Sequence, residues 1–486
     1  YIWSLVEAKG RLWFGTMANT ACVLNGVRAA TPILDDTYVC EYGMSEYART
    51  YPSLTDIQGD WRPPRIYSWD LASHTLTERE VDSPLLQTTL GLRSAGTGGD
   101  EVFLAGASRL GNAVNFFAYN ADTGKYLGAC TRDDYNYVRG SALVDGVLYL
   151  GVGSLTHGAI LRWNGPAASL ATGYDYCNQF VEVGRITANV ANITRYVGAD
   201  GKDRLAITTV PIRASGDGSI AASAGAPPAD GNGVWLSPPI PQGGLTPDQA
   251  NAWRQVWSPL QYDPDPIVSR YGYSIGAIRQ FDGWVYWGTI HNQNSMALTM
   301  EQKCTKPFCF GVPANPREQR ALNDGVYRST SLWRGRNLED PRTREIQLLY
   351  GESQLPVCCA SAKTFGMQPT GWTPLYGPSG YGNRGNEYTW TMAVFDGHLF
   401  IGTYDASILQ GSSSEEEYGA DMWRIDSSDS PAVNEDYSGL GDFRNYGIRA
   451  LHALDDGSGV VAGMANPANL APGGGWELRL LKEDSP

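Results

Sequence analysis

The sequence predicts an all-β protein, built from about seven similar four-stranded units in one domain. Two observations predict this fold: one hairpin pattern recurs along the chain, and a short aromatic strand follows each copy. The clearest hairpin lies at residues 390–403, where apolar runs flank Asp396-Gly397. An Asp-Gly pair between apolar runs is a strong hairpin signal, because a type I′ turn needs positive φ at both central residues.

Further copies of this hairpin occur along the whole chain. They lie at residues 4–16, 141–153 and 276–289, with weaker copies at 92–106, 193–209 and 450–463. Each copy is followed by an apolar strand with an aromatic residue, often beside arginine, as at Trp163, Trp333 and Trp423. Four-stranded units repeated in this way are the signature of a β-propeller.

Length and charge limit the possible classes of protein. Seven propeller units of roughly 40–50 residues account for about 280–350 residues, so a single domain over residues 1–486 needs long insertions. We place these at about 17–65, 210–233, 290–325 and 404–420. The net charge of −14 argues against nucleic acid and anionic membrane surfaces as partners. No apolar run is long enough to cross a membrane.

The cysteines indicate an oxidising compartment. There are eight, an even number, without a CxxC motif, which is typical of a disulfide-bonded protein that is extracellular, periplasmic or at the cell surface. The chain begins at Tyr1 rather than Met, which also favours a processed, secreted chain. We expect one disulfide between Cys22 and Cys40 and another between Cys130 and Cys177.

The other four cysteines allow two pairings. Cys304 and Cys309 lie in one insertion, and the adjacent Cys358 and Cys359 lie in the link to the next unit. The adjacent pair can bridge itself, or each of its sulfurs can bond one of the other two cysteines. We favour the second pairing, because it makes two ordinary bridges.

Two short helices are predicted inside insertions. Thr246 is an N-cap followed by Pro247, and Gln249 completes a capping box. Asn315 with Pro316 has the same character.

The long insertions all follow second strands, so they share one face of the predicted ring. We expect function on that face, because binding residues collect on loops held by a rigid scaffold. Aligning the glycines that end the second strands gives a rim of seven residues: Ala18, Arg109, Ser154, Pro211, His291, Asp405 and Asn466. We take Arg109, His291, Asp405 and Asn466 as candidate ligand-binding residues. At the mouth end of the first strands the same alignment places Trp3, Arg139, Trp390 and Arg449.

These side chains make a polar, aromatic channel mouth. Arginine offers a bidentate fork and tryptophan a stacking face, so the mouth suits an anionic or carbohydrate ligand. The alternative is that the arginines and tryptophans only fill a solvated channel.

Metal and cofactor signals are weak. His157 and His291 lie past second strands on the candidate face, but two histidines without a dense carboxylate set do not predict a metal site. The acidic run at residues 415–417 fits a solvated loop better than a set of calcium ligands. We therefore expect no cofactor, with calcium as the one alternative.

The repeat resembles that of the seven-bladed β-propeller superfamily over nearly all of the chain, and especially secreted bacterial propellers. The features that carry the resemblance are the Asp-Gly hairpin, the following Gly-Thr and the aromatic-Arg strand. It does not match the WD40 or kelch signatures. Propellers host binding, scaffolding and catalysis alike, so the fold alone does not give the function.

Two functional hypotheses remain. HExxH and CxxCH motifs are both absent, which favours a secreted, non-enzymatic scaffold that binds a partner protein or glycan through the insertion-rich face, within an extracellular or cell-surface assembly. The alternative is a propeller enzyme of the hydrolase, lyase or quinoprotein type with its site at the channel mouth. In that enzyme His291 is the general base, Arg109 and Arg449 hold an anionic group, and Asp405 lies beside them.

Overall fold

The computed structural model describes most of the chain. The described residues are 1–20, 62–109, 112–166, 171–174, 176–212, 231–291, 293–304, 309, 312–359, 363–410, 419–467 and 474–482. Within them the dominant elements are antiparallel strands, grouped in sequence order into units built on one hairpin each. No helix among these residues is both long enough and apolar enough to cross a membrane.

The first four units are separate four-stranded sheets. Unit 1 contains β1 (Ile2–Ala8), β2 (Arg11–Thr16), β3 (Ile66–Asp70) and β4 (Thr75–Glu78). Unit 2 contains β5 (Ser94–Gly98), β6 (Glu101–Ala107), β7 (Val114–Asn120) and β8 (Tyr126–Arg132). Unit 3 contains β9 (Tyr137–Val144), β10 (Val147–Gly153), β11 (Gly158–Trp163) and β12 (Phe180–Ile186). Unit 4 contains β13 (Asn189–Val197), β14 (Asp203–Val210), β15 (Val234–Leu236) and β16 (Arg254–Trp257).

The remaining units are joined to one another by single bridging pairs of residues. Unit 5 contains β17 (Tyr273–Phe281), β18 (Trp284–His291), β19 (Leu332–Arg336) and β20 (Glu345–Tyr350). A separate hairpin, β21 (Gln354–Cys358) with β22 (Phe365–Pro369), follows it. Unit 6 contains β23 (Asn386–Phe395), β24 (His398–Asp405), β25 (Met422–Ile425) and β26 (Val433–Asp436). Unit 7 contains β27 (Gly447–Ala453), β28 (Val460–Ala465) and β29 (Leu478–Leu481).

The first hairpin of each unit is the pattern found in the sequence. Where the turn is a residue followed by glycine, both have positive φ, for example 45° at Asp282 and 77° at Gly283. Asp396 and Gly397 have the same geometry, with φ of 45° and 74°. This is the type I′ turn that the Asp-Gly pairs predicted, and its twist matches the right-handed twist of the flanking strands.

The first strands of the units form a closed ring. Each contacts the first strand of the next unit, in the order β1, β5, β9, β13, β17, β23, β27 and back to β1. Glycines two or three residues before the end of second strands allow this close approach. A Cβ on Gly288 would lie 2.1 Å from the Cβ of Thr389 in unit 6, and one on Gly463 would lie 2.7 Å from Ile2 at the closure of the ring. The arrangement is that of a β-propeller.

Both predicted helix starts are confirmed. Thr246 and Gln249 form a capping box at the 3₁₀-helix Pro247–Gln249. The Asn315 side chain accepts hydrogen bonds from two backbone N–H groups at the start of α2 (Pro316–Val326). The preceding helix α1 (Gln293–Lys303) and the four-residue α3 (Ser407–Gln410) were not predicted.

The disulfides correct one predicted pairing. Cys130 and Cys177 are bonded, as predicted, and link unit 2 to unit 3. Cys304 bonds Cys309, and Cys358 bonds Cys359, so the crossed pairing that the sequence favoured is wrong.

The distances between the four cysteines explain why their clustering was predicted correctly and their pairing was not. The chain after α1 brings the Cα atoms of Cys304 and Cys309 to 5.8 Å, a normal disulfide separation. The Sγ atoms of Cys304 and Cys359 still lie only 3.7 Å apart without a bond. The four residues therefore cluster as predicted but pair within each segment. Cys22 and Cys40 lie outside the described residues.

We predict that the Cys130–Cys177 and Cys304–Cys309 disulfides stabilise the fold unequally. Cys130 and Cys177 are 47 residues apart, whereas Cys304 and Cys309 are 5 apart. In the loop-closure model these separations correspond to about 4 and about 2 kcal/mol. The double variant C130A/C177A should therefore lose more free energy of unfolding than C304A/C309A, as measured by urea denaturation without reductant. Equal losses would contradict the prediction.

Candidate functional site

A repeated irregularity on the first strands aims side chains at the ring axis. In unit 1 the register shifts between Ile2 and Ser4, which leaves Trp3 as an extra residue. The same shift brackets Trp390 in unit 6 and Arg449 in unit 7, and Arg139 lies in the shifted segment of unit 3. A β-bulge of this kind bends the strand and re-aims a side chain.

These four residues line one cavity on the axis, of about 150 Å³. Arg93, just before β5, and Arg279 in β17 complete a set of four arginines around it. All seven first strands or the residue beside them contribute to its wall, with Asn192 representing unit 4. The volume is below the roughly 300–1,000 Å³ of pockets for drug-sized ligands, so the cavity suits a small group or one residue of a polymer.

The arginines are held by aromatic rings rather than by acids. The guanidinium of Arg93 lies 5.2 Å from the ring of Trp3 and 5.1 Å from that of Tyr137. The guanidinium of Arg449 lies 5.3 Å from the ring of Trp390. Such cation–π contacts fix the orientation of a guanidinium without neutralising its charge.

The positive charge is buried and uncompensated. Arg139 and Arg449 are each only 6% exposed, and both have buried side-chain nitrogens without a hydrogen-bond partner among the described residues. Burial, reinforced by repulsion from Arg139 and Arg93, lowers the pKa of Arg449 well below its ordinary value. The described lining contains no carboxylate. Because buried charges are normally paired, this cavity is suited to an anionic ligand.

Tyr137 responds to the same charges. Burial alone would raise the pKa of its phenol, but the positive charges of Arg93, Arg139 and Arg449 outweigh that effect and lower it. These arginines come from three different units around the axis, so the phenol lies in their common field. A tyrosine with a lowered pKa is a candidate for proton transfer.

The rim residues predicted from the sequence do not line this cavity. His291 is fully buried, and its ring lies 5.7 Å from that of Tyr273. Burial, with a smaller effect of Arg328, lowers the pKa of His291 well below its usual value, so the imidazole is neutral. Arg109 lies just after β6, is partly buried, and donates its backbone N–H to the carbonyl of Thr88.

Asp405 and Asn466 are also buried at strand ends. The Asp405 carboxylate accepts hydrogen bonds of 2.7 Å each from the side chain of Asn383 and the backbone of Ser407. Asn466 donates to Asn445 over 3.2 Å. Both arrangements hold loops to their own units, and neither residue reaches the axis.

Asp405 has a buried acidic neighbour. Burial, together with the charge of Asp405, raises the pKa of Asp421 to about 6, although Asn386 donates a hydrogen bond of 2.6 Å to it. Asp421 is 2% exposed, so its carboxylate titrates inside the protein.

Two clusters of metal-ligand types occur among the described residues. Glu7, His452 and Asp455 meet where unit 1 contacts unit 7, with a Glu7–His452 ion pair of 3.2 Å. The sulfurs of the second cluster, Cys304, Cys358 and Cys359, are all in disulfides. The acidic run at 415–417, the one predicted alternative for calcium, lies outside the described residues.

Sequence reasoning missed Arg93, Tyr137 and Arg279. Arg93 was missed because the hairpin of unit 2 has no register shift, so alignment on the following glycine points to Ser94 instead. Counting from the hairpin turn would have found it, since Trp3, Arg93, Arg139, Trp390 and Arg449 each stand six residues before the first turn residue.

Comparisons with known proteins are limited to solved structures. No protein-family model matches the sequence, and no curated protein matches it. Among the similar structures, a 6-phosphogluconolactonase homologue from Bacteroides uniformis is 10% identical, with 90% of this chain and 84% of that one covered and a TM-score of 0.40. A PL25 ulvan lyase is 8% identical, with 99% and 91% covered and a TM-score of 0.38. The PQQ-bound aldose sugar dehydrogenase of Streptomyces coelicolor is 11% identical, with 80% and 96% covered and a TM-score of 0.32. The chain spans half of another match, a prolyl endopeptidase.

These structures are enzymes with propeller-type folds, and they contradict the expectation of a non-enzymatic scaffold. We do not retain that hypothesis. Identities of 8–11% concern the fold alone, so the chemistry of this chain is argued below from its own cavity.

We predict that the cavity arginines are present at the expense of stability. Replacing Arg449 with methionine removes a buried, uncompensated charge, so the free energy of unfolding should stay the same or rise by up to about 2 kcal/mol. The matched control is Arg328→Met, because Arg328 is equally buried but paired with Asp263 over 2.6 Å. That change should cost about 3–5 kcal/mol. Urea denaturation of both variants tests the contrast, and a large loss in R449M would contradict it.

We predict a pH dependence of stability from Asp421. Its pKa is raised from 3.8 to about 6 on folding, so the folded state binds the proton more tightly than the unfolded state. The stabilisation from this proton is present below about pH 4 and is lost as the pH rises to about 6. Asp421→Asn should remove this loss. Relative to the native protein, the free energy of unfolding of the variant should therefore be about 1–3 kcal/mol more favourable at pH 7 than at pH 4. Denaturation curves across that range give the measurement, and parallel profiles would contradict the assignment.

Proposed function

We propose that this protein is an enzyme, that residues 1–486 form a single seven-bladed β-propeller, and that its active site is the arginine cavity on the axis. The closed ring of first-strand contacts supports the single propeller. The observation that carries the function is the group of buried guanidiniums without a carboxylate in the described lining. We also propose that the chain is secreted, which its disulfides favour.

The substrate that this cavity fits best is an acidic carbohydrate. A carboxylate would accept charge-assisted hydrogen bonds from the unpaired nitrogens of Arg139 and Arg449. The edges of Trp3 and Trp390 complete the wall and offer apolar surface to a sugar ring. Binding of such a sugar requires no charged side chain besides the arginines of the cavity.

The reaction that the residues support is β-elimination, the lyase type. A uronate carries a weakly acidic hydrogen on C5, next to its carboxylate. Tyr137 does not line the cavity, but its ring lies 5.1 Å from the guanidinium of Arg93, which does. As phenolate it accepts that proton, while Arg93, Arg139 and Arg449 stabilise the negative charge that develops on the carboxylate oxygens. The C5–H electrons form a C4=C5 bond, the C4–O4 bond breaks, and the leaving oxygen takes a proton from water, while Tyr137 releases the proton that it accepted to solvent.

Glycoside hydrolysis fits the site less well. Most glycosidases use two carboxyl groups that flank the scissile bond. The described lining of the cavity offers arginine, aromatic and small polar side chains instead. Elimination also transfers only a proton, so it needs neither an oxidant nor a reductant.

We predict that the protein cleaves uronate-containing polysaccharides and gives products with a new conjugated double bond, detected by ultraviolet absorbance. Tyr137→Phe should lower kcat by about 10²–10⁴-fold with KM nearly unchanged, because the base is lost and the binding groups remain. Arg449→Met should lower kcat/KM by about 10²–10³-fold. In the native protein kcat/KM should rise with pH towards the pKa of Tyr137, below the ordinary value for tyrosine.

The control for Tyr137 is Tyr135→Phe. Tyr135 is also 3% exposed, but its hydroxyl donates to Glu182 outside the cavity. Its substitution should leave kcat and KM within about twofold of the native values, since it touches no part of the site. Binding of uronate oligosaccharides without any turnover by the native protein would contradict the proposed reaction.

A further inference from the structure

The cavity is closed at the end where the first strands begin. Tyr1, Tyr388, Tyr404 and Tyr446 form a continuous aromatic plug there. The ring centroids are 5.6 Å apart for Tyr1 and Tyr446, 4.8 Å for Tyr404 and Tyr446, and 4.3 Å for Tyr388 and Tyr404. The hydroxyls of Tyr1 and Tyr446 are also hydrogen-bonded. The plug packs directly on Trp390, which lines the cavity, so the tyrosines lie behind this part of its wall.

Units that lack a plug tyrosine close the same end with other buried side chains. Leu90 and Ile290 belong to the same cluster as the plug. Tyr137 packs with Ala191 and Val210 of unit 4. At the strand-start end, the described residues of every unit therefore include buried side chains.

In units 3 and 6 exposure increases toward the hairpin turns. Ser141 and Met392 line the cavity, and the residues two positions further along their strands point to the same side. These residues, Leu143 and Val394, are 52% and 36% exposed. The cavity thus opens on the hairpin-turn face, opposite the insertion-rich face on which the sequence placed the function.

We propose that the enzyme acts from the reducing end of an acidic polysaccharide, releasing one unsaturated monosaccharide per turnover, and that the chain enters from the hairpin-turn face. This inference rests on the proposed function and deepens it. The residue whose carboxylate meets the arginines occupies a blind cavity, so only one of its two linkages can continue to a neighbour.

Chemistry selects which linkage continues. β-Elimination breaks the C4–O4 bond, so the leaving residue must be attached at O4 and must extend outward through the open end. The C1 side then faces the plug and carries no further sugar. The residue in the cavity is therefore the reducing-end uronate, and the shortened chain leaves with a new reducing end.

The test uses a uronic acid hexasaccharide with ¹³C at the reducing-end C1, followed by mass spectrometry. The first product should be the labelled unsaturated monosaccharide, followed by a ladder that shortens by one residue at a time. A benzyl group on the reducing-end oxygen should lower kcat/KM by about 100-fold or more. The same group at the non-reducing end should have little effect. Dimers to tetramers among the first products would overturn the inference.

The entry face is tested with a matched pair of variants. Leu143→Trp narrows the proposed entrance, whereas Leu375→Trp changes a leucine that is also 52% exposed but lies outside the cavity lining. L143W should lower kcat/KM for the hexasaccharide by about tenfold or more, and L375W should not. Equal activity of the two variants would overturn entry from this face.

Failure of the proposed function gives a different result. In that case no uronate polymer is cleaved. Calorimetry also detects no binding of glucuronate to the native protein, or it detects binding that Arg449→Met does not change. Turnover that is abolished by Tyr137→Phe but gives products of mixed length leaves the lyase in place and removes only the reducing-end inference.

Discussion

The ring of units depends on one kind of contact. Near the end of a second strand, a glycine lies against the first strand of the next unit. At Gly288 and Gly463 the backbone of one unit touches the first strand of the next so closely that no side chain fits. This contact sets the spacing of the first strands around the axis, and it also closes the ring between units 7 and 1. Because the adjacent first-strand segment carries a bulge, the same contact that builds the ring also turns particular side chains toward its centre.

Much of this architecture is local and could therefore be predicted from the sequence. A sequence pattern of two to four residues specifies each type I′ turn, each capping box and each Gly-Thr pair near the end of a second strand. The alignment also brought together Trp3, Arg139, Trp390 and Arg449, because a repeat places equivalent residues at equivalent heights. The same alignment missed Arg93, because the hairpin of unit 2 has no register shift. A missing bulge moves the alignment on the glycine by one residue, so the position must be counted from the hairpin turn instead.

The predicted rim residues do not line the cavity, and the reason is a different one. Position after the second strand specifies height above the ring but not whether a side chain faces the axis, a neighbouring unit or its own loop. His291 turns into the core beside Tyr273, and Asp405 is used by Asn383 and Ser407. The cysteines illustrate the same limit, since four residues met as expected but bonded by short-range geometry. Long-range pairing and side-chain direction require the packed structure.

The cavity shows how a rigid ring can hold an unfavourable group of charges. Three guanidiniums that repel one another would not remain buried in a pliable loop, because the loop would move to expose them to water. Here each comes from, or directly precedes, a first strand that is bonded within its unit and packed against both neighbours. The stability of the ring thus offsets the cost of keeping the cavity positive before a ligand arrives. In the proposed reaction, this preorganisation lets the arginines act on an anion as it forms, because they need no rearrangement.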